Sequence, residues 1–129
     1  MRYIFGLVLC LMLAAPAAQA QSLIAQYYTV IGPGDFYNSA GARLTDFGAI
    51  LQQDRANLHR FGKPDAQDGW DPVFGDAANR GRIPQIWQTA PGAEYIVDWV
   101  LSGQPRFLLI QVYGYGTTPQ VIVVSDGAG

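Results

Sequence analysis

The sequence predicts a single α+β domain. Its small and mostly antiparallel sheet should consist of the N-terminal strand and a C-terminal hairpin, with two or three helices from the middle of the chain packed on one face. Three observations support this fold class. β-branched and aromatic residues dominate both ends of the chain after residue 20, helical periodicity fills the middle, and glycine and proline separate the segments. Half of the residues are apolar and only 14% are charged, so a packed core is expected rather than disorder.

Residues 1–20 have the pattern of a secretory signal peptide. Arg2 provides an early positive charge, residues 3–13 are almost wholly apolar, and small residues precede Ala20. The apolar run is only about ten residues long, whereas a membrane-spanning helix needs about 20. We therefore expect cleavage after Ala20, no membrane anchor after cleavage, export to the periplasm or the medium, and one α+β domain over residues 21–129.

Cysteine content and charge exclude several function classes. Cys10 is the only cysteine and lies inside the apolar run, a poor position for lipid attachment, so the processed chain has no cysteine. Disulfides, a thiol nucleophile and a thiolate zinc site are thereby excluded. Without Arg2, seven basic residues face ten acidic ones with no basic run, so we expect no nucleic-acid partner. No segment indicates a cofactor.

Each predicted element follows from local pattern. Residues 22–31 read as a strand that ends at Gly32-Pro33-Gly34, and turn residues between 36 and 44 predict a small hairpin or tight loop. The clearest helix should begin after Thr45 as N-cap and stop at Gly62. Its apolar residues recur at helical spacing: Phe47, Ile50, Leu51, Leu58 and Phe61.

The second half of the chain predicts two more helices and a hairpin. Asp76 should cap the short helix AANRGRI, which Pro84 should limit, and a third helix over 93–102 should stop at Gly103. Residues 107–113 and 121–124 form the predicted hairpin. Because its apolar runs are nearly continuous, burial on both faces is expected.

Charge is concentrated in one stretch of the sequence, since ten of the 18 charged residues lie between positions 54 and 82. On a wheel of about 100° per residue, Asp54 falls inside the apolar stripe of the main helix. A carboxylate buried alone costs several kcal/mol, so Asp54 needs polar partners. We predict that Asp54 is the hub of a structural network with side-chain candidates Arg43, Arg80, Arg82 and Trp70 and with backbone N–H groups of residues 62–72.

His59 is the only histidine and is the one weak candidate for acid–base chemistry. It lies about 140° around the helix from Asp54, on the outer side, so only Asp65, Asp68 or Asp71 could orient it. The serines lack a nucleophile-elbow context. The loop aspartates recur every third residue without the glutamate of a calcium loop, so each should cap a turn and no metal site is expected.

Two functions remain compatible with these residues. The first is a non-catalytic binding module for another envelope or extracellular protein or an envelope component, with aromatic contacts from residues such as Trp70, Trp87, Tyr113 and Tyr115. It leads because the sequence lacks a catalytic constellation. The alternative is a small envelope hydrolase that uses His59 with a loop aspartate as acid and base.

Overall fold

The computed structural model describes residues 20–128, so the expected signal peptide, except for Ala20, lies outside the described residues. The strands are β1 (Ser22–Ile31), β2 (Trp87–Thr89), β3 (Arg106–Tyr115) and β4 (Thr118–Asp126). The helices are α1 (Phe47–His59), α2 (Ala77–Ile86) and α3 (Tyr95–Leu101), with a short 3-10 helix at Pro33–Phe36.

The strands form one four-stranded sheet in the order β1-β3-β4-β2. β3 pairs antiparallel with both β1 and β4, whereas β2 pairs parallel with β4. The predicted α+β class and mostly antiparallel sheet are confirmed, built from the N-terminal strand and the C-terminal hairpin. The sequence did not predict β2, because three residues are too few to show alternation.

Burial along the strands alternates, so only one face of the sheet carries helices. In β3 the residues Leu108, Ile110 and Val112 are fully buried, while those between them are partly exposed. The helices pack on one face of the sheet, as predicted. The expectation that the hairpin is buried on both faces is wrong, because apolar side chains occupy its outer positions without a covering layer. We call this outer surface the open face; it comprises Leu23, Gln26, Tyr28, Val30, Phe107, Leu109, Gln111, Tyr113, Val121, Val123 and Ser125.

The core lies between the inner sheet face and the three helices. Main contributors from the helices are Phe47, Ile50, Leu51, Ile83, Ile96 and Val100. α1 and α2 cross closely at Gly48, where an added Cβ would lie 2.7 Å from the Pro84 Cα. Only glycine fits this crossing without a shift of one helix. Trp87 then closes the end of the core, with its ring centroid 4.8 Å from that of Phe47.

The helix ends agree with the sequence in part. Gly62 and Gly103 adopt positive φ after α1 and α3, as expected for helix stops. The N-cap of α1 is Asp46 rather than Thr45, since the Asp46 carboxylate accepts from Gly48 N at 2.9 Å. Asp76 caps α2 as predicted, but the helix continues through Pro84 to Ile86. Pro84 has no N–H to donate to the Arg80 carbonyl, so α2 forms its last turn without that hydrogen bond.

The turn between the 3-10 helix and α1 matches the predicted small hairpin. A single antiparallel bridge joins Tyr37 to Arg43, and the Asn38 side chain closes the turn by accepting from Ala40 N and Ala42 N at 3.0 and 2.9 Å. None of the helices among residues 20–128 is long and apolar enough to cross a membrane.

Candidate functional site

Asp54 is buried where the helical wheel placed it, but its partners differ from those predicted. Its Oδ1 accepts from Thr29 Oγ1 at 2.7 Å and its Oδ2 from Arg55 Nε at 2.9 Å. Burial raises the pKa of Asp54 to about 6, although the Arg55 charge and the Thr29 hydrogen bond act in the opposite direction.

The four predicted side-chain partners make no hydrogen bond to Asp54. Arg43 donates to the carbonyls of Phe36, Leu44 and Leu101, and Arg80 donates to those of Phe74 and Gly75. Arg82 forms no ion pair with any described residue, and Trp70 is 70% exposed. The reason is proximity: the adjacent residue Arg55 has a side chain long enough to fold back from the flank of α1 and take the position that more distant arginines were expected to fill.

Arg55 is the centre of the network, and its side chain is 0% exposed. Besides Asp54, its guanidinium donates to Asp71 Oδ1 at 2.9 Å, to the Gly69 carbonyl at 2.8 Å and to Thr29 Oγ1 at 3.0 Å. The Tyr27 ring lies beneath it, with the guanidinium carbon 3.9 Å from the ring centroid. Burial disfavours the charged guanidinium, but the surrounding acidic groups outweigh it and raise the pKa of Arg55.

Asp71 links the guanidinium to the histidine. Its Oδ1 accepts from Arg55 and lies 2.7 Å from His59 Nε2, while its Oδ2 accepts from the backbone N–H groups of Val73 and Phe74. Burial alone would raise the pKa of Asp71, but the His59 and backbone hydrogen bonds together with Arg55 lower it. The aspartate is thus held ionised, and it also caps its own turn as predicted.

His59 is not the exposed surface residue expected from its position on the helix. Its side chain is only 8% exposed, and its ring lies edge-on to Trp70 with 6.4 Å between centroids. Residues 62–72 fold over the outer side of α1, which a helical wheel cannot represent. Of the three loop aspartates considered as its partner, only Asp71 contacts it.

The other two loop aspartates, Asp68 and Asp65, lie against β1 and against the turn that follows it. Asp68 accepts from Val30 N at 2.8 Å and lies 2.9 Å from Thr29 Oγ1. The Thr29 hydroxyl has one proton, so it donates to Asp68 or Asp54 at any moment, not to both. Asp65 lies against Gly32, where an added Cβ would come within 2.8 Å of its Oδ1. Among the described residues no group of three His, Cys, Asp or Glu is placed to hold a metal ion.

These contacts describe a clasp rather than an open reaction centre. Arg55 and its partners, which we call the Arg55 clasp (Tyr27, Thr29, Asp54, Arg55, His59, Asp68, Asp71), join β1, α1 and the loop 62–72. Gly69 N also donates to the Tyr28 carbonyl at 2.7 Å, so the loop pairs with the exposed edge of β1. Four of the ten charged residues between positions 54 and 82 lie in this clasp, so packing accounts for part of the crowding of charge in the sequence.

A third buried carboxyl group, Asp35, was not singled out by the sequence. It accepts from Gly32 N at 3.0 Å and from Asn57 Nδ2 at 2.8 Å. Burial raises the pKa of Asp35 to about 8, and the nearby Asp54 and Asp65 carboxylates add to the rise. At neutral pH this group therefore holds a proton. A single aspartate in a Gly-Pro-Gly-Asp turn gives no periodic signal from which its burial could be inferred.

A groove runs along the side of α1 that faces away from the core. Its first lobe has a volume of about 370 Å³ and its second about 320 Å³, in the size range of small-ligand sites. The two lobes share four lining residues and so form one depression, which we call the α1 groove. The aromatic and polar residues that line it include Tyr37, Asn38, Ser39, Gln52, Gln53, Asn57, Arg60, Phe61 and Lys63.

The floor of the α1 groove is held in place by hydrogen bonds. Asn57 donates to Asp35 Oδ1 and to the Gly34 carbonyl, and its Oδ1 accepts from Gln53 Nε2 at 2.8 Å. The Asn38 Oδ1 is fixed by its turn, and its amide NH₂ has no partner among residues 20–128. The sequence did carry a signal for this site: the outward side of α1 has the amides Gln52, Gln53 and Asn57 where a solvated helix normally has charged residues.

Comparison with known proteins adds no assignment to this geometry. The chain matches no known family model, and neither curated proteins nor solved structures give a significant match.

Proposed function

We propose that this protein is an exported, non-catalytic binding module that holds an envelope component in the α1 groove. The observation that carries the proposal is the groove itself, a depression of about 370 Å³ in its larger lobe with a pre-positioned amide floor. Two partly exposed aromatic rings, Tyr37 and Phe61, lie in the same lobe. Pockets that combine apolar rings with a few fixed polar groups are typical ligand sites.

Export is part of the proposal and is supported by the first twenty residues. Their early positive charge and their apolar run are typical of a secretory signal peptide, and the small residues before Ala20 are those that a signal peptidase requires. A protein without cysteine after cleavage keeps its fold in an oxidising compartment without thiol chemistry. The ligand would then be a component that lies outside the cytoplasmic membrane.

Binding is favoured over catalysis by the way the titratable groups are used. Asp71, the only aspartate that contacts the histidine, already has four hydrogen-bond partners. His59 is almost fully covered, so little of its ring could reach a substrate. The groove, by contrast, presents amides, a hydroxyl and aromatic rings, which recognise a ligand without transferring protons.

Co-sedimentation with isolated envelope polymer tests the proposal. The purified protein should pellet saturably with insoluble envelope material, and Phe61→Ala should reduce the bound fraction severalfold. Trp70→Ala is the matched control, because Trp70 is the most exposed tryptophan and lies at the clasp, outside the groove. Equal binding of both variants and the unmodified protein would show that the groove is not the site.

The open face supports a second candidate, a binding surface for another envelope or extracellular protein. The open-face positions of the described strands include no Asp, Glu, Lys or Arg, and most of them are apolar. A surface that has few charged residues and several aromatic ones is typical of the centres of protein interfaces. Leu109→Lys should then abolish capture of a partner that Phe61→Ala still captures, and the reverse pattern would assign the binding to the groove.

The hydrolase alternative rests on one observation, the 2.7 Å contact between His59 Nε2 and Asp71. An aspartate that orients an imidazole is a common feature of acid–base sites. If this pair were catalytic, His59→Gln would abolish any hydrolysis of envelope polymer by the purified protein while leaving the fold intact. Hydrolysis that survives this substitution, or that is never observed, removes the alternative.

A further inference from the structure

The α1 groove differs from the rest of this acidic chain in its charge. The chain has ten Asp and Glu against eight Lys and Arg, yet none of the described residues that line the two lobes is Asp or Glu. Arg80 lines the second lobe but is buried and donates to backbone carbonyls. Lys63 in the first lobe and Arg60 in the second form no ion pair with any residue of the described range 20–128. The groove therefore offers two uncompensated positive charges.

The aromatic rings of the groove are placed beside these charges. Phe61 is shared by both lobes, and the Arg60 guanidinium carbon lies 5.0 Å from its ring centroid. Tyr37 belongs to the first lobe and is 48% exposed. Exposed aromatic side chains present a large apolar surface and lose little conformational entropy when a ligand binds. They therefore suit a ligand whose rings have a partly apolar face and polar groups at the edge.

The polar groups of the groove favour a ligand rich in hydroxyls. Amide side chains can donate and accept at the same time, as a hydroxyl can. Gln53 is held by Asn57, and Asn38 is held by its turn with its NH₂ directed away from the bonded oxygen. Ser39 adds a hydroxyl to both lobes. Polyhydroxylated rings match this set better than a peptide or a lipid chain does.

We propose that the α1 groove binds an acidic oligosaccharide, in which sugar rings stack on Tyr37 and Phe61, hydroxyls bond to the amides of Asn38 and Gln53, and carboxylates pair with Lys63 and Arg60. This inference rests on the proposed binding function and names its ligand class. The sugar rings supply the faces and hydroxyls, and the carboxylates supply the negatively charged partners that Lys63 and Arg60 lack within residues 20–128.

Isothermal titration with two oligosaccharides of equal length tests the ligand class. Trigalacturonate, which carries a carboxylate on every ring, should bind saturably at one site, and the neutral trisaccharide maltotriose should bind at least about tenfold more weakly. Lys63→Gln should weaken trigalacturonate binding about threefold, as expected for loss of one solvent-exposed ion pair. Phe61→Ala should weaken it more, and binding should fall in 0.5 M salt because exposed charges are screened.

Two control variants keep the result specific. Arg82→Gln removes a cation outside the groove, and Trp70→Ala removes an exposed aromatic outside it; neither should change the affinity. Equal affinity for maltotriose would overturn the acidic class while leaving the binding function in place. Failure of both sugars, with retained co-sedimentation on envelope polymer, would overturn the oligosaccharide class alone. An equal loss in Arg82→Gln would show non-specific charge attraction and overturn the inference.

Discussion

Substitution of Arg55 by methionine removes the centre of the clasp while keeping a long apolar side chain. The variant loses contacts to Asp54, Asp71, Thr29 and the Gly69 carbonyl, and it leaves two buried carboxylates without their cation. Removing one partner of a buried ion pair typically costs about 3–5 kcal/mol. Since a small domain is stable by about 5–15 kcal/mol in total, Arg55→Met should lose a large part of the stability.

Urea unfolding followed by tryptophan fluorescence measures this loss. With a slope of about 1–3 kcal/mol per molar urea, the midpoint should fall by roughly 2 M. The loss should shrink on acidification from pH 7 to pH 4.5, because carboxylates that have lost Arg55 take up protons more readily in the folded state. Arg82→Met is the matched control, with an expected loss below about 0.5 kcal/mol. A loss below about 1 kcal/mol in Arg55→Met, or one equal to the control, would refute the clasp.

The remaining predictions concern the carboxylates and the helix crossing. Asp54→Ala should lower the melting temperature by about 10 °C or more, since it leaves the buried Nε of Arg55 without its acceptor; an unchanged melting temperature contradicts the burial argument. Because the folded pKa of Asp35 is about 8 against 3.8 for a free aspartate, its contribution to stability is complete below about pH 4 and is lost as pH rises towards 8. Asp35→Asn should therefore remove the fall in stability between pH 6 and 8, and an unchanged unfolding profile would mean that Asp35 is ionised. Gly48→Ala should lower the free energy of unfolding by about 1–3 kcal/mol, because the added methyl group would meet Pro84. Gly81→Ala is the control: its methyl group meets no atom within 4 Å, so it should stabilise α2 by about 0.5–1 kcal/mol. Equal effects of the two substitutions on thermal unfolding would contradict the close crossing of α1 and α2.

Local patterns predicted the fold well because they report on burial. The β-branched and aromatic residues of 22–31 and the β-prone runs after residue 106 predicted strands, and the helical stripe that begins at Phe47 predicted the buried side of α1. They failed where a short segment has no period, as in β2, and where a cap competes with its neighbour, as Thr45 does with Asp46. The expectation that the C-terminal hairpin is buried on both faces failed because an apolar run does not reveal whether its second face is covered or open.

The candidate site was harder to predict because it depends on distant segments. The wheel correctly gave the direction of Asp54, but it could not show that Arg55 folds back or that residues 62–72 cover His59. The groove requires Tyr37 and Asn38 to lie beside α1, a contact across a turn that the sequence does not encode locally. The sequence shows three amides, Gln52, Gln53 and Asn57, on the outward side of α1. They indicate a binding site only once the fold places them beside the aromatic rings of the groove.

Amide chemical-shift mapping tests the central claim that the ligand binds in the α1 groove and not at the Arg55 clasp or the open face. Envelope polysaccharide fragments would be titrated into the ¹⁵N-labelled protein, and each shift followed to saturation. We predict the largest shifts at residues 37–39, 53, 57 and 60–63, with little change at the Trp70 indole and along β3. Shifts centred on Trp70 and Asp71, or on the open face, with none at residues 37–39, would contradict the account.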